Sequence, residues 1–233
     1  MNENRPSIFL LVCLVIAAST LAGPSMTEGK SLWHLRGFGV WIEPDLDYKI
    51  QTDDDTGILA TANGAFGLGL SAEYQFSERL GFELGVFRAS PEIILDYHLP
   101  ELDLSFSVTD HLAMTPITLG LDIHLLPKSR LDLYLAPFLG YVRNGDLEFT
   151  VNESVEIEGQ VIFIQDTERV NVASDVAYGA TLGLDIPFSS QPWAIATSLR
   201  YLASELDATE SEGDNIRPDF NSWILTAGLR YTF

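Results

Sequence analysis

Arg36, Glu73, Glu83, Asp122, His124, Asp132, Asp185, Arg200 and Arg230 all occupy one parity of segments in which side-chain character alternates. Alternation with a period of two sends such residues to a single face of a strand. Most of them lie within a few residues of a short turn or of the chain end. Arg36, Arg200 and Arg230 turned inward against Glu73, Glu83, Asp122, Asp132 and Asp185 must pair, because an unpartnered charge away from water is costly. Such a network is either a plug or a path for protons or ions. An interior only wide enough for side chains favours the plug.

A second group of the same parity is apolar. Phe38, Val40, Ile42, Phe87 and Leu202, with Phe138 and Val142, lie farther from the short turns. They either fill space or line a pocket for a small hydrophobic molecule. Pro91 falls inside an alternating segment and cannot donate to a ladder. It marks a harmless bulge or a lateral exit through the wall. His98 and His111, with Asp96 and Asp110, carry metal-ligand atoms, but their spacing matches no standard motif. The acidic runs Asp53–Asp55 and Glu210–Asp214 read as solvated surface, with weak cation collection as the alternative. No resident metal and no cofactor is expected.

The elements that must position these residues are strands. From the C-terminus, Phe233, Tyr231, Leu229, Ala227, Leu225 and Trp223 share one face; Thr232, Arg230, Gly228, Thr226, Ile224 and Ser222 share the other. Eight such segments can be laid out: Leu32–Glu43, Ala65–Phe76, Leu80–Tyr97, Thr109–Leu125, Leu131–Val151, Asp175–Phe188, Trp193–Asp207 and Ser222–Phe233. Short turns at 77–79, 127–130 and 189–192 alternate with long connections at 44–64, 99–110, 152–174 and 208–221. The alternating run from Asp146 to Val151, continued to Ile164, suggests strands that protrude above a membrane. This is the plan of an all-β, eight-stranded antiparallel transmembrane β-barrel with short periplasmic turns and long extracellular loops.

A soluble barrel of the same strand number would turn its apolar face inward. Here the other face is too small for a solvent surface: Gly67, Gly69 and Ser71 in one segment, Ala177, Gly179, Thr181 and Gly183 in another. Those residues suit a narrow lumen. Trp33 and Trp41, Trp193 and Tyr201, and Trp223 and Tyr231 are each eight residues apart on the apolar parity. That spacing is about 26 Å along a strand, or roughly 20 Å of height once tilted, close to the apolar band of a membrane barrel.

Composition agrees with this plan. The chain has 233 residues, a net charge of −20 and only the lysines Lys30, Lys49 and Lys128. So acidic a chain repels a phosphate backbone, which excludes nucleic acid as a partner. Residues 1–22 read as a signal peptide, with an apolar run at Ile8–Ala18 and small residues before Ala22. Cys13, the single cysteine, lies inside that run without the small preceding residue of a lipoprotein. The barrel domain is then 23–233, exported to the outer membrane and free of disulfides.

The order and spacing of several pieces resemble the OmpW family of small outer-membrane barrels. They are Arg36-Gly37 followed by Pro44, Leu68-Gly69-Leu70 through Tyr74, and Leu80–Leu84 leading to Pro91. Pro116–Leu119, Leu133–Leu135 with Gly140-Tyr141, Gly179–Asp185 and Trp223–Phe233 continue the series. The resemblance implies an eight-stranded barrel with an apolar interior that passes small hydrophobic compounds sideways into the outer membrane. Glu83 and Pro91 stand where the family has its third-strand Glu and proline; the very acidic loops depart from it. The implied partners are outer-membrane lipids, small hydrophobic molecules and the barrel assembly machinery. Two other functions compete: a structural or adhesive barrel without transport, and a lipid-modifying barrel enzyme. No histidine follows His124, so the His-Ser pair that a barrel hydrolase places near its last strands is absent.

Phe233 ends the chain on the lipid-facing parity of the closing strand and is read as the assembly signal. Its deletion is expected to leave more chain unassembled in the periplasm. Equal heat-modifiable, folded protein from both versions would contradict that reading.

Overall fold

Alternating side chains only become inside and outside once the sheet closes. In the computed structural model, which describes residues 32–51, 57–99, 104–126, 131–157, 160–188, 191–209 and 215–233, the closure is complete. The strands are β1 (Leu32–Asp45), β2 (Asp47–Gln51), β3 (Gly57–Asn63), β4 (Ala65–Gln75), β5 (Leu80–Ala89), β6 (Glu92–Leu99), β7 (Leu104–His111) and β8 (Met114–His124). They continue as β9 (Asp132–Asn144), β10 (Leu147–Ile157), β11 (Gln160–Ala173), β12 (Asp175–Pro187), β13 (Trp193–Ala203), β14 (Asp207–Thr209), β15 (Asn215–Ile216) and β16 (Asn221–Thr232). Eight of them form a closed antiparallel barrel in the order β1-β16-β13-β12-β9-β8-β5-β4. The proposed signal segment, both acidic runs and the turn at 127–130 lie outside the described residues.

The first and last strands seal the tube, in register from His34↔Thr232 to Asp45↔Asn221. Their outward faces carry Leu35, Leu225 and Leu229; β4 adds Phe66 and Leu68, which are 82% and 76% exposed. A belt of bare leucine and phenylalanine this large is stable only against lipid. Aromatic pairs border it at both ends. Trp33–Tyr74 and Trp193–Tyr231 stand toward the chain termini, Trp41–Phe66 and Tyr201–Trp223 toward the long connections. Among the described residues no helix is long and apolar enough to cross a membrane.

The long connections are not simply loops. Beyond the barrel the hairpins continue as two four-stranded sheets, β2-β3-β6-β7 and β10-β11-β14-β15. The expected segments at Leu80–Tyr97, Thr109–Leu125 and Leu131–Val151 each divide in two at the rim, near Pro91, Leu112 and Gly145. Ile93, Val108, Phe149 and Val172 of the two sheets are buried, with Leu46 and Phe220 at the junctions to the barrel. These join the apolar core that begins in the barrel at Val40 and Ile42.

Two prolines interrupt the barrel wall. Pairing of β5 with β8 runs to Val86↔Ile117 and resumes at Ala89↔Met114, leaving out Phe87 and Arg88 opposite Pro116 and Thr115. Just before β8 the Leu112 amide donates to the Pro91 carbonyl at 2.9 Å, and at the other end of the strand the His124 amide donates to the Arg79 carbonyl at 2.8 Å. Residues of the same parity, Pro116 included, therefore aim their backbone groups at β5, and Pro116 has no N–H to offer. Pairing of β8 with β9 likewise omits Leu121 and Asp122 opposite Pro137 and Ala136. The Leu125 amide bonds to the Leu133 carbonyl, so the odd residues of β9, among them Pro137, face β8.

Close backbone approach at the closing seam explains one glycine. A Cβ on Gly228 would stand 2.0 Å from the Gly37 carbonyl oxygen and 2.6 Å from the Phe38 Cα. On Gly39, across the same seam, its nearest contact would be ordinary, at 3.8 Å. Gly228→Ala is expected to lower stability by about 1–3 kcal/mol through overpacking, and Gly39→Ala to leave it nearly unchanged. Urea unfolding in lipid vesicles separates them; equal midpoints would contradict the packing at this seam.

Candidate functional site

Along the ladders, like charges stand opposite like charges. Glu73 pairs with Glu83, Asp185 with Asp132, and Arg36 with Arg230. Each such pair is repulsive by itself. Compensation comes across the lumen, where all of these side chains project into one layer at the short-turn end of the barrel.

Arg36 is the hub. Its Nη2 donates to Glu73 Oε2 at 2.7 Å and to Asp185 Oδ2 at 3.0 Å, and its Nη1 to Glu83 Oε2 at 2.9 Å. The guanidinium also lies 5.0 Å from the Tyr134 ring centroid, a favourable cation–π distance. Arg230 Nη1 donates to Asp132 Oδ2 at 2.8 Å and Asp185 Oδ2 at 2.7 Å. Arg200 sits higher, donating from Nε to Thr181 Oγ1 at 2.9 Å, with Glu83 Oε1 at 3.3 Å from Nη2. Its other face covers the Phe138 ring at 4.9 Å. Glu73, Asp122 and Asp185 are fully buried.

Asp122 differs from the rest. Neither of its oxygens has a hydrogen-bond partner, and its ion-pair contact is Arg36 Nη1 at 3.8 Å. His124, two residues on, is fully engaged: Nε2 lies 2.9 Å from Glu73 Oε1 and Nδ1 lies 2.7 Å from Asp132 Oδ1.

The layer also holds residues that the sequence reading did not single out. His34 bridges Thr232 Oγ1 at 2.8 Å and Gln75 Oε1 at 3.1 Å. Tyr134 and Thr118 share the inward parity of their charged neighbours and are buried, beside Ser71 and Thr181, which the alternation already sets on the lumen face. Parity was the signal that could have found them.

Above the layer the lumen is filled. A cavity of about 20 Å³ remains between Arg36, Phe38, Glu83, Tyr134 and Arg200, enough for roughly one water. Val40, Ile42, Phe87 and Leu202 are buried in one apolar cluster with Phe138, Val142 and Ile224, and Phe38 packs against it half-buried. Pro91 is buried at the rim, where β6 begins to pair with β7 at Glu92↔His111. The wall is thinnest around Phe38, whose partners across both neighbouring ladders are Gly69 and Gly228. Outside this patch a groove of about 900 Å³ runs over Gly37, Gly39, Leu68 and Leu229 to Phe87, Arg88 and Thr115. The groove therefore reaches the break between β5 and β8.

His98 and His111 are not brought together. The register sets His98 opposite Ser105 and His111 opposite Glu92, at opposite ends of the β6–β7 hairpin. The His98 side chain lies outside the described residues. Asp110 accepts the His111 amide at 2.7 Å, and Asp96 accepts the Ser107 hydroxyl.

Removing the hub leaves buried carboxylates without their cation. Arg36→Leu is expected to cost about 3–5 kcal/mol, and Arg230→Leu on the order of 3 kcal/mol. Arg169→Leu, which breaks the exposed pair with Asp146, is expected to change nothing measurable. Unfolding midpoints in urea decide it; three equal midpoints would mean that the layer is solvated.

No protein-family model matches the chain, and no curated relative does. Solved structures do share the fold. The outer membrane protein OprG from Pseudomonas aeruginosa is similar with a TM-score of 0.59 at 16% identity, over 87% of this chain and 96% of that one. The outer membrane protein AlkL, solved in DMPC lipid bilayers, is similar with a TM-score of 0.51 at 14% identity, over 100% of this chain and 97% of that one. At such identities the likeness is one of fold: this chain is an eight-stranded barrel of the outer-membrane kind.

Proposed function

We propose that this barrel, an OmpW-like protein, passes small hydrophobic molecules from the outer face into the lipid of the outer membrane through its wall. The observation that carries the reading is the unpaired stretch of Phe87 and Arg88 opposite Pro116 and Thr115, with an apolar groove outside it that also touches Phe38. The charged layer below bars a straight path to the periplasm. A solute that reaches Phe38 and Val40 therefore leaves sideways, toward lipid, where its transfer is favourable. The packed core makes passage a gated step: Phe38 and Phe87 must swing before anything moves. We put the exit one step below the expected Pro91, because Pro116 is the proline whose missing donor coincides with unpaired neighbours.

A structural or adhesive role is the second reading, favoured by the filled lumen and by the two sheets that extend the barrel outward. Uptake of short alkanes and small aromatics in cells with matched amounts of folded barrel separates the two. Pro116→Thr returns a donor toward β5 and is expected to slow uptake. Val40→Asp puts a charge in the apolar section and is expected to abolish it. If both variants transport like the parent, or the parent matches cells without the barrel, the structural reading takes the place of this one.

A further inference from the structure

One carboxylate of the lumen layer lacks a partner of its own. Glu73, Glu83, Asp132 and Asp185 are each hydrogen-bonded to Arg36, Arg200, Arg230 or His124. The two oxygens of Asp122 accept no hydrogen bond although the side chain is 0% exposed, and its ion-pair contact is Arg36 Nη1 at 3.8 Å. Leaving a buried carboxylate without a hydrogen-bond partner is unfavourable.

Asp122 does not stand alone. One ligand atom each from Glu73, Asp122 and His124 lies within 4.8 Å of the others. An ion seated among them would take the place of the hydrogen bond between His124 Nε2 and Glu73 Oε1, 2.9 Å long, with the imidazole giving up its Nε2 proton and the two ligand atoms parting slightly to span a tetrahedral edge. Behind the imidazole, Nδ1 lies 2.7 Å from Asp132 Oδ1, and Asp132 is held in turn by Arg230. A carboxylate backing the far nitrogen of a histidine is the usual support of a metal-bound imidazole: it fixes the tautomer that offers Nε2.

We propose that Glu73, Asp122 and His124 bind a divalent transition-metal ion of the zinc class, with Asp132 as the positioning residue. The ion gives the Asp122 carboxylate the partner it lacks. It ties β4 to β8 across the intervening β5, beside the stretch where Pro137 interrupts the β8–β9 ladder. Imidazole plus two carboxylates suits zinc, iron or manganese better than a hard ion such as calcium, which prefers an all-oxygen shell. Asp132, with a side chain 20% exposed, is where the layer meets water at the short-turn end, and an ion arrives past it. This site is independent of the conduit reading, which concerns the opposite side of the charged layer.

The test uses untagged full-length barrel refolded in lipid, stripped with a chelator, loaded with zinc and passed through gel filtration before metal analysis. The parent is expected to retain stoichiometric zinc and to unfold at a higher temperature when loaded. Asp122→Asn, isosteric and relieved of an unpaired charge, is expected to fold but lose both effects. Asp132→Asn is expected to bind zinc roughly 10–100-fold more weakly, a graded loss that a mere filler of space would not produce. Cobalt substitution should give the absorption of a nitrogen–oxygen site in the parent and not in Asp122→Asn. Zinc that washes from the parent as completely as from Asp122→Asn overturns the proposal, and so does an Asp122→Asn barrel that binds as tightly as the parent.

Discussion

Everything in the barrel depends on one arginine. Arg36 sits where Glu73 and Glu83, neighbours across a ladder, would repel each other, and it reaches Asp185 on the far side of the tube. Its position ties three strand pairs to a single register. A slip of one residue along β1 would turn Arg36 toward lipid, take one cation from Glu73, Glu83 and Asp185 and leave Asp122 without its ion-pair contact. Hydrogen bonding closes the sheet, as it must in a bilayer, but it does not choose which closure. The charge layer does.

Filling follows from that choice. The charged layer occupies the short-turn end, and the apolar cluster from Val40 and Ile42 upward occupies the rest, continuing without interruption between the two outer sheets. A barrel packed along its whole length is stable but shut. Its weak places lie in the wall, where proline and glycine thin it: Pro116 faces β5, Pro137 faces β8, and Gly69 and Gly228 flank Phe38. Packing thus leaves two interrupted ladders and one glycine patch as the thin places of the wall, and the apolar groove reaches the β5–β8 break and the glycine patch.

Much of this was legible in the residues. The inward and outward parities, the aromatic borders and the members of the charge layer all follow from a period of two, because a closed barrel leaves each residue only two directions. What parity cannot supply is the neighbour. That Glu73 faces Glu83 rather than an arginine depends on register, and so does the choice of hub. Prolines posed the same problem: Pro91, Pro116 and Pro137 all lie in alternating segments, but which ladder loses a donor depends on the side to which each nitrogen points. The strands beyond the rim were only partly readable. The β10 run alternates clearly, whereas β2, β3 and β7 are short and set among acidic residues, and they read as loops.

The most direct measurement closes the seam between β5 and β8. With Arg88→Cys and Thr115→Cys, two outward neighbours of the unpaired stretch are joined by a disulfide, while the lumen and the charge layer stay untouched. Uptake of a small aromatic is then followed before and after reduction in the same cells. A lateral conduit predicts slow uptake when the pair is oxidised and recovery to the parent rate on reduction. Transport that ignores the disulfide, with the cross-link verified on the folded barrel, would contradict the account.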